Sequence, residues 1–207
     1  MLMLEYALFL QFKRPMFVSR RHPRSPSWES VGGPHYRFGI DTDGHQHQRL
    51  LELEERLAVS DGAGDVYYVA PRFHRKPDFD NAYLNGLVLE QSVIVPPSEF
   101  GDADGLHFHV THIETLVAQI LSQPKPPAKQ VEWVTIQQRA STRAQHRDNQ
   151  AGNRLRLPEL EQILMEITRD SSIVAKSDTS APITRRIDRL ATILGCGLVL
   201  FGSREAA

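Results

Sequence analysis

Cys196 is the one cysteine in this chain of 207 residues. A lone thiol excludes an intramolecular disulfide and any zinc site built on cysteines. It sits in the apolar run GCGLVLF and reads as a small core residue. Long hydrophobic runs are missing as well, since none approaches the roughly 18 apolar residues of a transmembrane helix. The first residues do not read as a secretion signal: Glu5 interrupts them, and Lys13-Arg14 follow the apolar run instead of preceding it. The expectation is a cytoplasmic protein with no membrane partner. Nor is there an excess of either charge: 24 Lys and Arg stand against 25 Asp and Glu, a formal net charge of −1. Such a balance gives no global attraction to nucleic acid or membrane. No glycine-rich phosphate loop, nucleophile elbow or dinucleotide fingerprint is present.

What the chain does contain is ordinary globular material, 41% apolar and 24% charged. The length suits a single α/β domain over residues 1–207, a mixed sheet flanked by helices. Strands are expected at 4–13, 36–40, 66–70, 87–95, 106–111, 131–136 and 197–201. A helix is expected from His45 to Val59, with Leu50, Leu53 and Leu57 as its apolar stripe and Asp41, Thr42 or Asp43 as its cap. Another is expected at 113–121. Two more follow late in the chain, one on Leu157, Leu160, Ile163, Leu164 and Ile167, the other on Ile183, Ile187, Leu190 and Leu194. Residues 19–35, rich in proline and glycine, read as loop. SQPKPPAK reads as a stiff connector at 122–130, and 139–156, polar and basic, as a mobile loop.

The most informative stretch is ALFLQFKR at 7–14. A strand alternates its faces, so Gln11 and Lys13 point one way and Phe12 the other. A buried strand that ends by offering an amide and an ammonium on one face delivers polar groups to a site. LFLQFKRP resembles the Gln-X-Lys strand of the PD-(D/E)XK nuclease superfamily, and strand, loop, strand, helix, strand over residues 4–70 is similar to its element order. The resemblance implies a restriction-endonuclease-like core that acts on DNA with Mg²⁺. It makes Gln11 the metal-side and Lys13 the catalytic residue, with the lysine steadying developing negative charge. His47 and Gln48, near a helix start, are expected to support that pair.

The chain departs from the family pattern at one place. The family's aspartate lies on the strand before the Gln-X-Lys strand, and here no aspartate precedes Asp41. Glu5 shares a face with Gln11 but stands about 20 Å away along an extended strand. The expectation is a core incomplete at the N-terminus and a nuclease-like protein impaired or inactive as it stands. A non-enzymatic module that binds nucleic acid or protein on the same scaffold is the alternative.

Two further clusters have candidate roles. Arg14, Arg20, Arg21 and Arg24 follow the strand and could track phosphates, although an arginine-rich loop is also an ordinary solvated surface. His107 and His109 in HFHVTH share a strand face, a spacing compatible with two ligands of a histidine-centred metal site.

Overall fold

The structure is a computed structural model of the whole chain and describes residues 2–21, 26–60, 63–100, 105–112, 119–120, 128–145, 156–169 and 180–204. It is a mixed α/β protein. The chain divides into two compact units, each gathered from separate segments: 1–11, 48–66 and 135–207 in the first, 12–47 and 67–134 in the second.

The first unit is built on β1 (Leu2–Phe12) as far as Gln11. Ala7, Leu8 and Phe9 are fully buried, as a strand covered on both faces requires. On one side β8 (Gly197–Arg204) pairs with it antiparallel, setting Leu10 opposite Gly197. On the other side runs the start of β4 (Gly64–Pro71), where the Ala7 N–H donates to Ala63 O at 2.9 Å. Six residues further along, the Lys13 N–H donates to Val69 O. The equal advance on both chains means that β1 and β4 run parallel, so the sheet is mixed. The two backbones approach tightly at Gly64: a Cβ there would stand 2.3 Å from Ala7 O.

Helix α2 (His45–Val59) enters this unit from Gln48 onward and buries Leu50, Leu53 and Leu57 completely. Helices α5 (Leu157–Thr168) and α6 (Ile183–Ile193) pack through Leu160, Leu164 and Ile187. Arg186 grips Glu161 between them with two bonds of 2.6 and 2.7 Å.

The second unit carries a sheet of order β2-β3-β6-β7, antiparallel throughout: β2 (Met16–Val18), β3 (His35–Asp41), β6 (Leu106–His112) and β7 (Gln119–Ile120). It also holds the end of β4 from Tyr67, paired antiparallel with β5 (Ser92–Val95). Phe38, Ile40, Val93, Ile94 and Phe100 are its core.

Several expectations are corrected. The strand expected at 36–40 exists, as β3, but it lies in a second sheet and not in the one mixed sheet expected; the hydrogen-bonded neighbours of β1 are β4 and β8. Alternation marks β3 as half-buried without saying against which partner, and β6 supplies it. Residues 131–136 are not a strand: α4 (Trp133–Gln145) begins there, burying Ile136 and Ala140 one turn apart. The supposed loop at 139–156 is therefore helical to Gln145, and 146–155 lies outside the described residues. The stretch 19–35, expected as loop, contains the short α1 (Pro26–Val31), and β2 ends just before the stretch. Of the strand expected at 87–95 only β5 forms. Of the helix expected at 113–121, the described residues 119 and 120 form strand. Helix α3 (Lys76–Leu84), with Pro77 in its first turn, was not foreseen.

Candidate nucleic-acid interface

Where β1 ends, the second unit opens a groove of about 1030 Å³. Its walls are the last residues of β1, the turn into β2, the segment after β4 and the first turns of α3. Each wall follows from local sequence. Pro15 closes β1 after Lys13-Arg14. Pro71 likewise ends β4 and leads through 72–75 to the Lys-Pro start of α3. Among the described residues, four cations line the groove, Lys13, Arg14, Arg75 and Lys76, and no carboxylate does. Arg75 and Lys76 pair along the helix with Asp78 and Asp80, outside the groove. Such exposed pairs hold these cations only weakly, at about 0–1 kcal/mol.

Aromatic side chains alternate with the cations. Phe12 is 52% exposed and Phe79 40% exposed, and both line the groove. Phe17 of β2 stacks on His74 with centroids 3.8 Å apart and planes at 14°. The His74 Nδ1 in turn lies 2.8 Å from the Tyr36 hydroxyl. Burial raises the Tyr36 phenol above its usual value, opposed by the nearby Arg72 guanidinium. Burial also draws Arg72 below the ordinary guanidinium range, offset in part by Tyr36. The groove floor is thus a packed, fixed surface.

Lys13 is held from below. Its Nζ lies 4.9 Å from the centre of the Tyr68 ring, within the range of a cation–π contact. The Tyr68 hydroxyl meets Nδ1 of the buried His47 at 3.0 Å. His47 and Lys13 thus both contact Tyr68, inside the second unit. This link was not legible in the sequence, where nothing tied Tyr68 to either residue.

The remaining site expectations divide. Gln11 and Gln48 belong to the first unit, Gln48 exposed at the start of α2. Gln11 is only 5% exposed, and its Oε1 has no hydrogen-bond partner among the described residues. Arg20 and Arg21 are exposed but do not line the groove; Arg21 pairs with Glu29 at 3.0 Å. Arg24 lies outside the described residues. His107 and His109 stand on β6 opposite Ile40 and Phe38, and their side chains lie outside what is described.

The donor set does not fit Mg²⁺. Among the described residues no group of three or more His, Cys, Asp or Glu side chains is placed to hold a metal. Gln11 brings one neutral oxygen, and carrying the register from Leu10↔Gly197 one residue further sets Cys196, not a carboxylate, against it. Mg²⁺ binds through one or two carboxylates and gives up its waters reluctantly.

No protein-family model, no curated protein and no solved structure matches the chain. No helix among the described residues is long and apolar enough to cross a membrane.

Proposed function

We propose that this chain is a DNA-binding protein on a restriction-endonuclease-like core, with the nuclease chemistry of that core impaired or lost as the chain stands. The observation that carries the binding is the convergence of Lys13, Arg14, Arg75 and Lys76 on a groove wall without a carboxylate. A local excess of cations attracts phosphates whatever the net charge of the whole chain. The scaffold reading rests on the Gln-X-Lys strand, and on a helix followed by a parallel strand beside it. In that reading Lys13 positions a phosphate, and its ring contact with Tyr68 fixes where the ammonium stands. No step through a metal is drawn, because the donors do not suit one.

The test is fluorescence anisotropy with labelled oligonucleotides, single-stranded and duplex, as salt is raised. Binding should appear at low ionic strength. Replacing Lys13 and Arg14 together with alanine should flatten the salt slope by about two units. Arg20→Ala with Arg21→Ala should change it less, because neither residue lines the groove. No binding of either oligonucleotide at low salt refutes the reading. With plasmid and Mg²⁺, at most trace cleavage is expected; robust cleavage abolished by Lys13→Ala would restore the enzymatic reading.

A further inference from the structure

We infer that the strand this groove accepts is single-stranded DNA, its bases stacked on an aromatic row that runs from the groove onto the outer face of α3. The inference rests on the DNA-binding reading above and specifies its substrate. The row consists of Phe73, Phe79 and Tyr83. Phe73 and Phe79 meet edge to face at 5.7 Å. Phe79 and Tyr83, one turn apart on α3, lie 6.1 Å apart with planes at 24°. Only the first two are groove residues; Tyr83 carries the row beyond it.

The exposure of these rings is what calls for an occupant. Tyr83 is 69% exposed, Phe79 40% and the following Leu84 82%. Helix α3 buries Ala82 alone. A nine-residue helix with one buried residue and two stacked, exposed rings gains little from its own core. The cations Arg75 and Lys76 open the same helix and line the groove with Lys13 and Arg14, while Asp78 and Asp80, which pair with them along the helix, flank Phe79. Charge beside bare aromatic faces is the combination that binds single strands, the cations following the backbone and the rings taking the bases. A duplex offers its phosphates equally but hides its base faces in the stack, leaving Phe79 and Tyr83 without a role.

Tyr83 decides between these occupants, because its side chain is mostly exposed and its ring contact is with the exposed Phe79, so its loss should cost the fold little. The experiment compares a labelled oligothymidylate with a duplex of equal length, on the full chain and on Tyr83→Ala, Tyr83→Phe and Lys13→Ala. The oligothymidylate should bind more tightly than the duplex. Tyr83→Ala should weaken it by about 5- to 150-fold, the loss of one stacked base, and Tyr83→Phe should restore it. Duplex binding should not respond to Tyr83→Ala, and Lys13→Ala should weaken both. Duplex binding that equals or exceeds single-strand binding, with Tyr83→Ala silent, overturns the inference and leaves DNA binding intact. Failure of both oligonucleotides removes the DNA reading itself. A dimer in sedimentation that Tyr83→Ala returns to monomer would assign the row to a second copy of the chain and overturn the inference as well.

Discussion

Gly64→Ala should be among the most damaging single-methyl additions to this protein. The glycine is buried in β4, and a Cβ built on it would meet Ala7 O at 2.3 Å, the Ala7 carbonyl carbon at 3.1 Å and the Ala7 Cβ at 3.2 Å. The nearest obstacle is backbone, so no side-chain rotation relieves it. The strands must part just where the Ala7 N–H reaches Ala63 O at 2.9 Å. Overpacking a core costs about 1–3 kcal/mol, and weakening a ladder hydrogen bond adds about 1 kcal/mol. A total near 3 kcal/mol corresponds to a fall in Tm of roughly 6–12 °C at this chain length. Gly32→Ala is the control. It has φ +76° and nothing within 4 Å, so only left-handed strain of about 1–2 kcal/mol applies. Thermal unfolding followed by circular dichroism reads both. If Gly64→Ala melts no lower than Gly32→Ala, the close parallel approach of β1 and β4 is wrong, and with it the placement of Lys13 by that pairing.

Three further outcomes follow from side-chain contacts. Tyr68→Phe keeps the ring under Lys13 but removes the hydroxyl that meets His47; it should cost about 0.5–1.5 kcal/mol in urea unfolding while leaving DNA affinity within twofold, whereas Tyr68→Leu should lower both. The Glu161 carboxyl is held below its usual range chiefly by the hydrogen bonds from Arg186, so its contribution is present above the unfolded carboxylate pKa and is lost as pH falls through the depressed folded one; urea midpoints of wild type and Glu161→Gln should converge as the medium is acidified, and a constant gap would refute the assignment. Cys196 is buried, so a thiol reagent should label it only after denaturant unfolds the first unit; rapid labelling of the native protein would contradict its place in the core.

The apolar elements were legible because burial leaves a period in the sequence. Leu50, Leu53 and Leu57 announced α2, and all three are fully buried. The runs in β1, β4 and β8, and the stripes of α5 and α6, were read for the same reason. What was missed buries little. Helix α3 encloses only Ala82, and its aromatic residues face solvent, so KPDFDNAYL has no apolar stripe to detect. Helix α4 buries Ile136 and Ala140, a seam too thin to separate from a short strand. Partner choice was illegible for another reason. Alternation tells which face of β3 is covered, but pairing with β6 instead of β1 depends on residues about seventy positions away. The candidate interface was half legible. Lys13 and Arg14 stood out at a strand end, while Arg75, Lys76, Phe79 and Tyr83 looked like an unremarked polar segment until α3 gathered them.

Gln11 carries the last test, because its position is costly and the cost can be measured. Its Oε1 is buried with no partner among the described residues, in a strand whose preceding residues Ala7 to Leu10 are all apolar and enclosed. An unsatisfied buried acceptor destabilises by about 1–3 kcal/mol. Methionine has similar length and no acceptor that needs strong pairing, so Gln11→Met should raise stability by about 1 kcal/mol, or roughly 2–4 °C in Tm. Gln11→Ala removes the same acceptor but leaves a void, and should lower stability. The two variants moving in opposite directions would establish that the amide is retained against the interest of the core. Violations of that kind concentrate where a residue serves something other than folding, which is what the Gln-X-Lys resemblance expects of this position. If Gln11→Met is instead destabilised as much as Gln11→Ala, the amide makes a bond that stabilises the strand, and Gln11 is an ordinary structural residue with no claim on a site.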